Sequence, residues 1–228
     1  MNADLTVSSD MNESHEVKGL IDNLYITDEK ATYHPEKVGV LVRTNRDTTL
    51  ARIQSGDFIV KLDANSGYQP LLKKGTTLVD SVMAQYKNKV IDQQAIKRLL
   101  PTMKLQVEVR HNNPIASLLS TKDISFKELL IDLNTSATTG VNGQMHLYSL
   151  VVDSTRIDTA KLNLTQKGER LTYQGQVRNN RKNRTVFNAL FDGHLHEHGA
   201  LVGARYYDAK DRMGMRVGAT ASMVDEGL

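Results

Sequence analysis

The chain has 228 residues, 39% of them hydrophobic and 5% aromatic, with no Trp and no Cys. That suffices for one all-β domain or two small ones, is lean for a compact core, and excludes disulfide scaffolds, Cys-ligated metals and thiol catalysis. Basic residues number 29 against 26 acidic, a net charge of +3 spread without a basic stripe, so nucleic acid is not an expected partner.

The small basic excess permits a modest attraction to anionic membranes without implying one. No run of about 18 apolar residues occurs, so no membrane-spanning helix is expected. Met1-Asn2-Ala3-Asp4-Leu5 lacks the basic and apolar regions of a signal peptide, and the chain stops straight after a strand. Both ends read as those of a segment of a longer protein.

Residues 1–70 read as strands. Asp4–Ser8 suits an edge, and Val17–Ile26 mixes apolar and polar positions before His34-Pro35 interrupts the pattern. Val38–Arg43, Thr48–Gln54 and Asp57–Asp63 follow, with Arg46-Asp47 and Ser55-Gly56 as hairpin turns. From Thr76 to Leu100 the period changes. Leu78, Val79, Val82, Met83 and Tyr86, then Val90, Ile91, Ile96, Leu99 and Leu100, fall at helical spacing. Thr76 or Thr77 is the expected cap and Pro101 the stop, giving two amphipathic helices or one broken near Asn88. Met103–Arg110 alternates as a strand, Pro114–Leu119 suits a helical turn, Ile124–Leu133 a strand and Asn134–Gly143 a polar loop.

Met145 to Ala221 reads as an antiparallel meander with one apolar face. Leu162 and Leu164, then Leu171, Tyr173, Gly175 and Val177, then Phe187, Ala189 and Phe191 recur at period two. The last segment sets Met213, Met215, Val217, Ala219 and Ala221 against Gly214, Arg216, Gly218 and Thr220. No helix follows residue 120 to cover such a face. The meander therefore either folds onto itself as a sandwich or barrel, or curls into a trough open to an apolar ligand.

Polar candidates are sparse. His194, His196 and His198 would share one strand face at a spacing that suits a zinc-type ion, but no second ligand cluster accompanies them. Arg178, Arg181, Lys182 and Arg184 could touch phosphate or simply keep a hairpin tip soluble. Asp153, Asp158 and Asp192 lack a nucleophile or cleft, and Gly140-Val141-Asn142-Gly143 lacks the Lys of a phosphate loop. An enzyme is not expected, nor is a cofactor or metal.

The run Ile124–Leu133, the segment Gly143–Leu150, the continuation Ile157–Leu171 and Phe191-Asp192-Gly193-His194-Leu195 resemble the strand pattern of TamB/AsmA-like envelope proteins, the translocation and assembly module family, in the form carried by Bacteroidetes-type bacteria. The resemblance is best over residues 103–228. It implies an all-β, elongated, curled antiparallel sheet, a taco-shaped β-groove; beside it 1–70 reads as a further β segment, and the helical insertion 76–100 departs from a pure groove, as a side decoration or a lid. It also implies a periplasmic segment of an inner-membrane-anchored bridge, whose anchor lies outside this chain. Such a bridge carries phospholipid to the outer membrane or supports outer-membrane protein assembly, with a barrel-assembly partner held by other parts of the protein. On that reading Leu162, Leu164, Leu171, Tyr173, Val177, Phe187, Phe191, Met213, Met215 and Val217 line the groove and meet phospholipid acyl chains. The alternative is a closed β-sandwich interaction module with no lipid ligand.

Overall fold

The computed structural model describes residues 2–10, 14–23, 26–27, 32–33, 37–110, 124–152, 155–179 and 186–223. The strands are β1 (Asn2–Ser9), β2 (His15–Asp22), β3 (Ile26–Thr27), β4 (Thr32–Tyr33), β5 (Val38–Thr44), β6 (Thr49–Ser55), β7 (Phe58–Ala64), β8 (Met103–Val109), β9 (Ile124–Ser125), β10 (Glu128–Ser136), β11 (Gly140–Val152), β12 (Thr155–Lys167), β13 (Arg170–Asn179), β14 (Phe187–His196), β15 (Gly199–Tyr207) and β16 (Met213–Ser222). Strand makes up 65% of the chain, and nearly all of it belongs to one open, 14-stranded antiparallel sheet. Its order is β1-β2-β5-β6-β7-β8-β10-β11-β12-β13-β14-β15-β16, with β9 extending the pairing of β11 and β3–β4 forming a separate hairpin. Leaving aside β3, β4 and β9, each strand thus lies beside its neighbour in sequence, an order that antiparallel period-two strands favour.

Register carries a single phase across the whole sheet. One row of cross-strand neighbours runs Leu5, Gly19, Val40, Ile53, Val60, Val107, Ile131, Met145, Leu162, Gly175, Phe191, Ala204, Val217. Parallel rows through Leu62–Leu105–Leu133 and through Phe58–Val109–Leu129–Leu147 lie on the same face. Side chains alternate between faces, so the opposite face collects the row Lys18, Leu41, Arg52, Lys61, Gln106, Asp132, Gln144, Asn163 and Gln174, polar but for Leu41. Twelve strand spacings make each apolar row about 58 Å long.

No second layer covers that face among the described residues. Among the described residues, only Ala64, Leu100 and Val109 are buried hydrophobics. The molecular surface is 14778 Å2, against about 10,300 Å2 for a folded globular monomer of this mass. From β5 to β15 the apolar face is half-covered, with Ile53 its exposed member, whereas Arg43, Arg52, Gln54, Asn163, Gln174 and Arg178 are exposed on the other face.

Two helices, α1 (Tyr68–Lys87) and α2 (Gln93–Leu99), separate β7 from β8. Helix α1 begins eight residues before the expected Thr76. Its N-cap, Gly67, offers no side chain; Thr44 of β5 supplies the missing acceptor, taking the Tyr68 N–H at 3.1 Å. Thr44 also bonds Thr49, which donates to the Ser66 carbonyl. A Cβ on Gly67 would stand 2.6 Å from the Asn45 carbonyl oxygen, so only glycine fits there. Thr76 and Thr77 lie inside the helix and bond carbonyls of the preceding turn. The expected break falls at Asn88. There Lys89, at φ 56°, bonds the Tyr86 carbonyl and Val90 that of Gln85, closing the helix as a Schellman turn.

The helices tie distant strands together. Lys89 presents its carbonyl to His198, in the β14–β15 turn, and the Ile91 N–H donates to the Glu197 carbonyl. Helix α1 is about 30 Å long, yet its anchors on β5 and at the end of β14 lie eight strand spacings apart, about 38 Å along the sheet. A chord shorter than its arc requires the sheet to curl, as large twisted sheets do.

Two sequence expectations change. Asn134–Gly143 is not a loop, because β10 continues to Ser136 and β11 starts at Gly140, leaving residues 137–139 as the turn. Ile124–Leu133 is divided between β9 and β10, both paired with β11. Pro114–Leu119 and His34-Pro35 lie outside the described residues.

Candidate functional site

The candidate site is the apolar face. Leu162, Leu164, Leu171, Tyr173 and Val177 share it through the β12–β13 register, in which Leu164 faces Tyr173 and Gln166 faces Leu171. Phe187 and Phe191 join it opposite Asn179 and Gly175, and Met215 and Val217 opposite Tyr206 and Ala204. Met213 departs from the row. A register shift between Tyr206 and Tyr207 sets it opposite Tyr207, on the other face by pairing.

Glycines make the floor smooth. The Phe191 ring lies over Gly175, whose Cβ would come within 2.0 Å of the ring tip. The Tyr173 ring lies over Gly193 in the adjacent pair, and its hydroxyl donates to the Leu201 carbonyl at 2.9 Å. Two aromatic rings therefore lie along the sheet, each on its cross-strand glycine, an arrangement that shields glycine backbone. Burial, with the nearby Asp192 charge adding to it, raises the Tyr173 phenol above its ordinary range. Farther along, Phe187 stacks on Tyr206 with centroids 6.1 Å apart.

Strands ahead of residue 103 supply five of the thirteen positions in the row from Leu5 to Val217. Val40, Val60 and Val107 are legible as alternating positions, and Ile53 is not, because Leu50, on the other face, is the apolar residue that stands out in β6. Only register, through the β7–β8 pairing of Val60 with Val107, places them in the same row as Leu162 and Phe191.

The polar face is a lattice of ion pairs. Glu16 lies between Lys18 and Arg43, and hydrogen bonds from both hold its carboxyl below the usual range. Arg110 bridges Glu108 and Glu128, Lys104 meets Asp132, and Arg205 meets Asp192 at 2.9 Å. A hollow of about 240 Å3 over β7–β11 is lined by Lys61, Glu108, Asp132 and His146, of which Glu108 and Asp132 already hold cations.

His194 and His196 lie on β14, while His198 belongs to the turn. His196 Nδ1 accepts the His198 N–H, and among the described residues no three His, Asp or Glu are placed to hold a metal. Asp158 pairs with Arg156 and Asp192 with Arg205, so the imagined carboxylate pair is engaged elsewhere; Asp153 lies outside the described residues, as do Arg181, Lys182 and Arg184.

No protein-family model, curated protein or solved structure matches the chain.

Proposed function

We propose that this chain is a section of an apolar trough that shelters phospholipid acyl chains in transit across a cell envelope, within a longer, periplasmic, membrane-anchored bridge. One observation carries the reading: an open sheet of 14 strands keeps a single apolar face in register from β1 to β16, with no layer over it among the described residues. An acyl chain leaving a membrane loses about 0.8 kcal/mol per CH₂ exposed to water, roughly 11 kcal/mol for 14 such groups. A trough of Leu, Val, Ile, Met and Phe offsets that cost. Because its rows are continuous and uncharged, it offers no preferred stopping point along their length.

The test uses a matched pair on β6. Ile53 lies on the apolar face and is 37% exposed; Gln54 is its neighbour on the polar face. The chain is expressed in a bacterial envelope and examined by native mass spectrometry with lipid extraction. Co-purified phospholipid, lost in Ile53→Glu and kept in Gln54→Glu with both variants folded, is the expected result. A lipid-free wild-type chain, or equal loss in both variants, refutes it.

A second reading, a protein-interaction module, draws on the sheet edges. β1 and β16 are exposed throughout, and Asp4 and Arg216 are their only charges. Long edges so lightly protected suit strand addition by another polypeptide. The closed sandwich does not describe this sheet, which is open.

A further inference from the structure

The apolar arc of α1 is not part of the trough face. At 100° per residue Leu72, Val79, Val82, Met83 and Tyr86 fall within an arc of about 100°. All five are exposed, Leu72 at 64% and Val79 at 60%. The adjoining line, Leu71 and Leu78, is half-buried. The helix thus has one apolar strip partly covered by the protein and a second that meets solvent.

Charge identifies what the second strip fits. Residues 68–100 hold Lys73, Lys74, Lys87, Lys89, Lys97 and Arg98 against Asp80 and Asp92, a net +4 from six minus two. The whole chain is +3, so everything outside this segment sums to −1. Lys87 borders the exposed arc on one side, and Lys74 flanks it beyond Leu71 and Leu78. The Lys89 ammonium sits 5.3 Å from the centre of the Tyr86 ring. Lysines at the rim of an apolar arc place their stems along it and their ammonium groups level with lipid headgroups.

We propose that α1 docks in the plane of an anionic phospholipid surface, with Leu72, Val79, Met83 and Tyr86 entering the headgroup–acyl boundary and the flanking lysines meeting lipid phosphates. The contact lies at the sheet end that α1 spans, where it would set one end of the apolar face beside a membrane. It stands on the helix and does not need the trough to hold lipid.

The chain has no Trp, so Val79→Trp provides an unambiguous fluorophore. The full chain is mixed with phosphatidylcholine vesicles with and without phosphatidylglycerol. The introduced indole should shift to shorter wavelength, and be quenched by brominated acyl chains, only with the anionic vesicles. In flotation, replacing Lys73, Lys74 and Lys87 by Gln should weaken binding roughly 100-fold, about fivefold per lysine. Val79→Glu with Met83→Glu should abolish binding while leaving co-purified lipid in the trough; Ile53→Glu should do the reverse. An indole that neither set of vesicles moves overturns the proposal, as does binding indifferent to phosphatidylglycerol. A chain that dimerises in light scattering, becomes monomeric with Val79→Glu and never floats with vesicles also overturns it, and makes the arc a protein interface.

Discussion

Replacing Gly193 by Ala should damage the sheet far more than the same change at Gly175, although both glycines lie under an aromatic ring on one face. At Gly193 the new methyl would stand 1.9 Å from the Leu201 carbonyl oxygen, a backbone atom, and 2.6 Å from the Tyr173 hydroxyl. Side-chain carbons do not approach closer than 3.0 Å, so β15 must retreat by at least 3.0 − 1.9 = 1.1 Å. That shift breaks about two rungs of the β14–β15 ladder and the Tyr173–Leu201 bond, at about 1 kcal/mol each. Restricting the unfolded chain returns about 0.5–1 kcal/mol, leaving a net loss of about 2 kcal/mol. At Gly175 the obstacle is the tip of the Phe191 ring, which can swing aside for about 0.5–1.5 kcal/mol, so the net effect is about 1 kcal/mol or less. Urea unfolding followed by circular dichroism should show the Gly193→Ala midpoint falling by roughly 1 M and the Gly175→Ala midpoint scarcely moving. Equal losses would refute the claim that backbone, and not ring, is the immovable neighbour.

Thr44→Val should leave the Tyr68 N–H without its acceptor inside a buried corner and cost about 1–3 kcal/mol, seen as faster amide exchange at Tyr68 than at the middle of β5. The Gln93 side-chain amide spans two strand ends, donating to the Leu195 carbonyl and accepting the Leu171 N–H at 2.7 Å. Gln93→Ala should therefore accelerate exchange at Leu171 while amides deep in β13 stay protected. Asp208, at the β15–β16 turn, is lowered to about 2 by the Arg212 guanidinium and by the backbone N–H groups of Arg212 and Lys210. Since its folded value lies below the unfolded one, it supports the turn above about pH 4, and that support fades as pH falls towards 2. Carboxyl NMR titration should place its midpoint near 2, and Asp208→Asn should loosen β16 relative to the wild type at neutral pH while the difference closes as pH falls towards 2.

Alternation made most strands legible. Val38, Val40 and Val42, or Met103, Leu105 and Val107, state which residues share a face whatever the strand pairs with. Alternation does not state how strands line up with one another. A displacement of one residue between β7 and β8 would send Val60 and Val107 to opposite faces, so the continuous row is a property of register. Asn134, Thr135 and Ser136 read as loop because their polarity outweighs the period. Yet Thr135 sits buried, its hydroxyl donating to the Pro101 carbonyl at 2.7 Å, a partner 34 residues away. The start of α1 was missed for a related reason. Gly67 carries no capping side chain, and the acceptor that replaces it comes from Thr44. Met213 looked like the first member of its row, but a bulge is a matter of pairing and leaves no mark in the alternation of β16.

Among the described residues, substantial contact between elements is confined to hydrogen-bonded neighbours and to α1 with α2. The sheet therefore resembles a one-dimensional array, whose stability is a sum over adjacent pairs and whose edges, β1 and β16, open first. Such an array fixes the local twist and leaves the overall curl soft. The helical segment is what spans nonadjacent strands, held by Thr44 at one end and by Gln93 and His198 at the other. The ladder does not need it. Ala64 pairs with Met103, and the Asn65 N–H donates to the Thr102 carbonyl, so β7 and β8 already meet as a hairpin beneath it. Replacing residues 66–101 by a tight turn should thus leave strand content unchanged by circular dichroism while small-angle scattering reports a flatter, wider particle. If the shortened chain keeps the wild-type scattering profile, the curl is intrinsic to the strands and α1 merely follows it. If instead the strands are lost, the helices stabilise the sheet and are more than a chord across it.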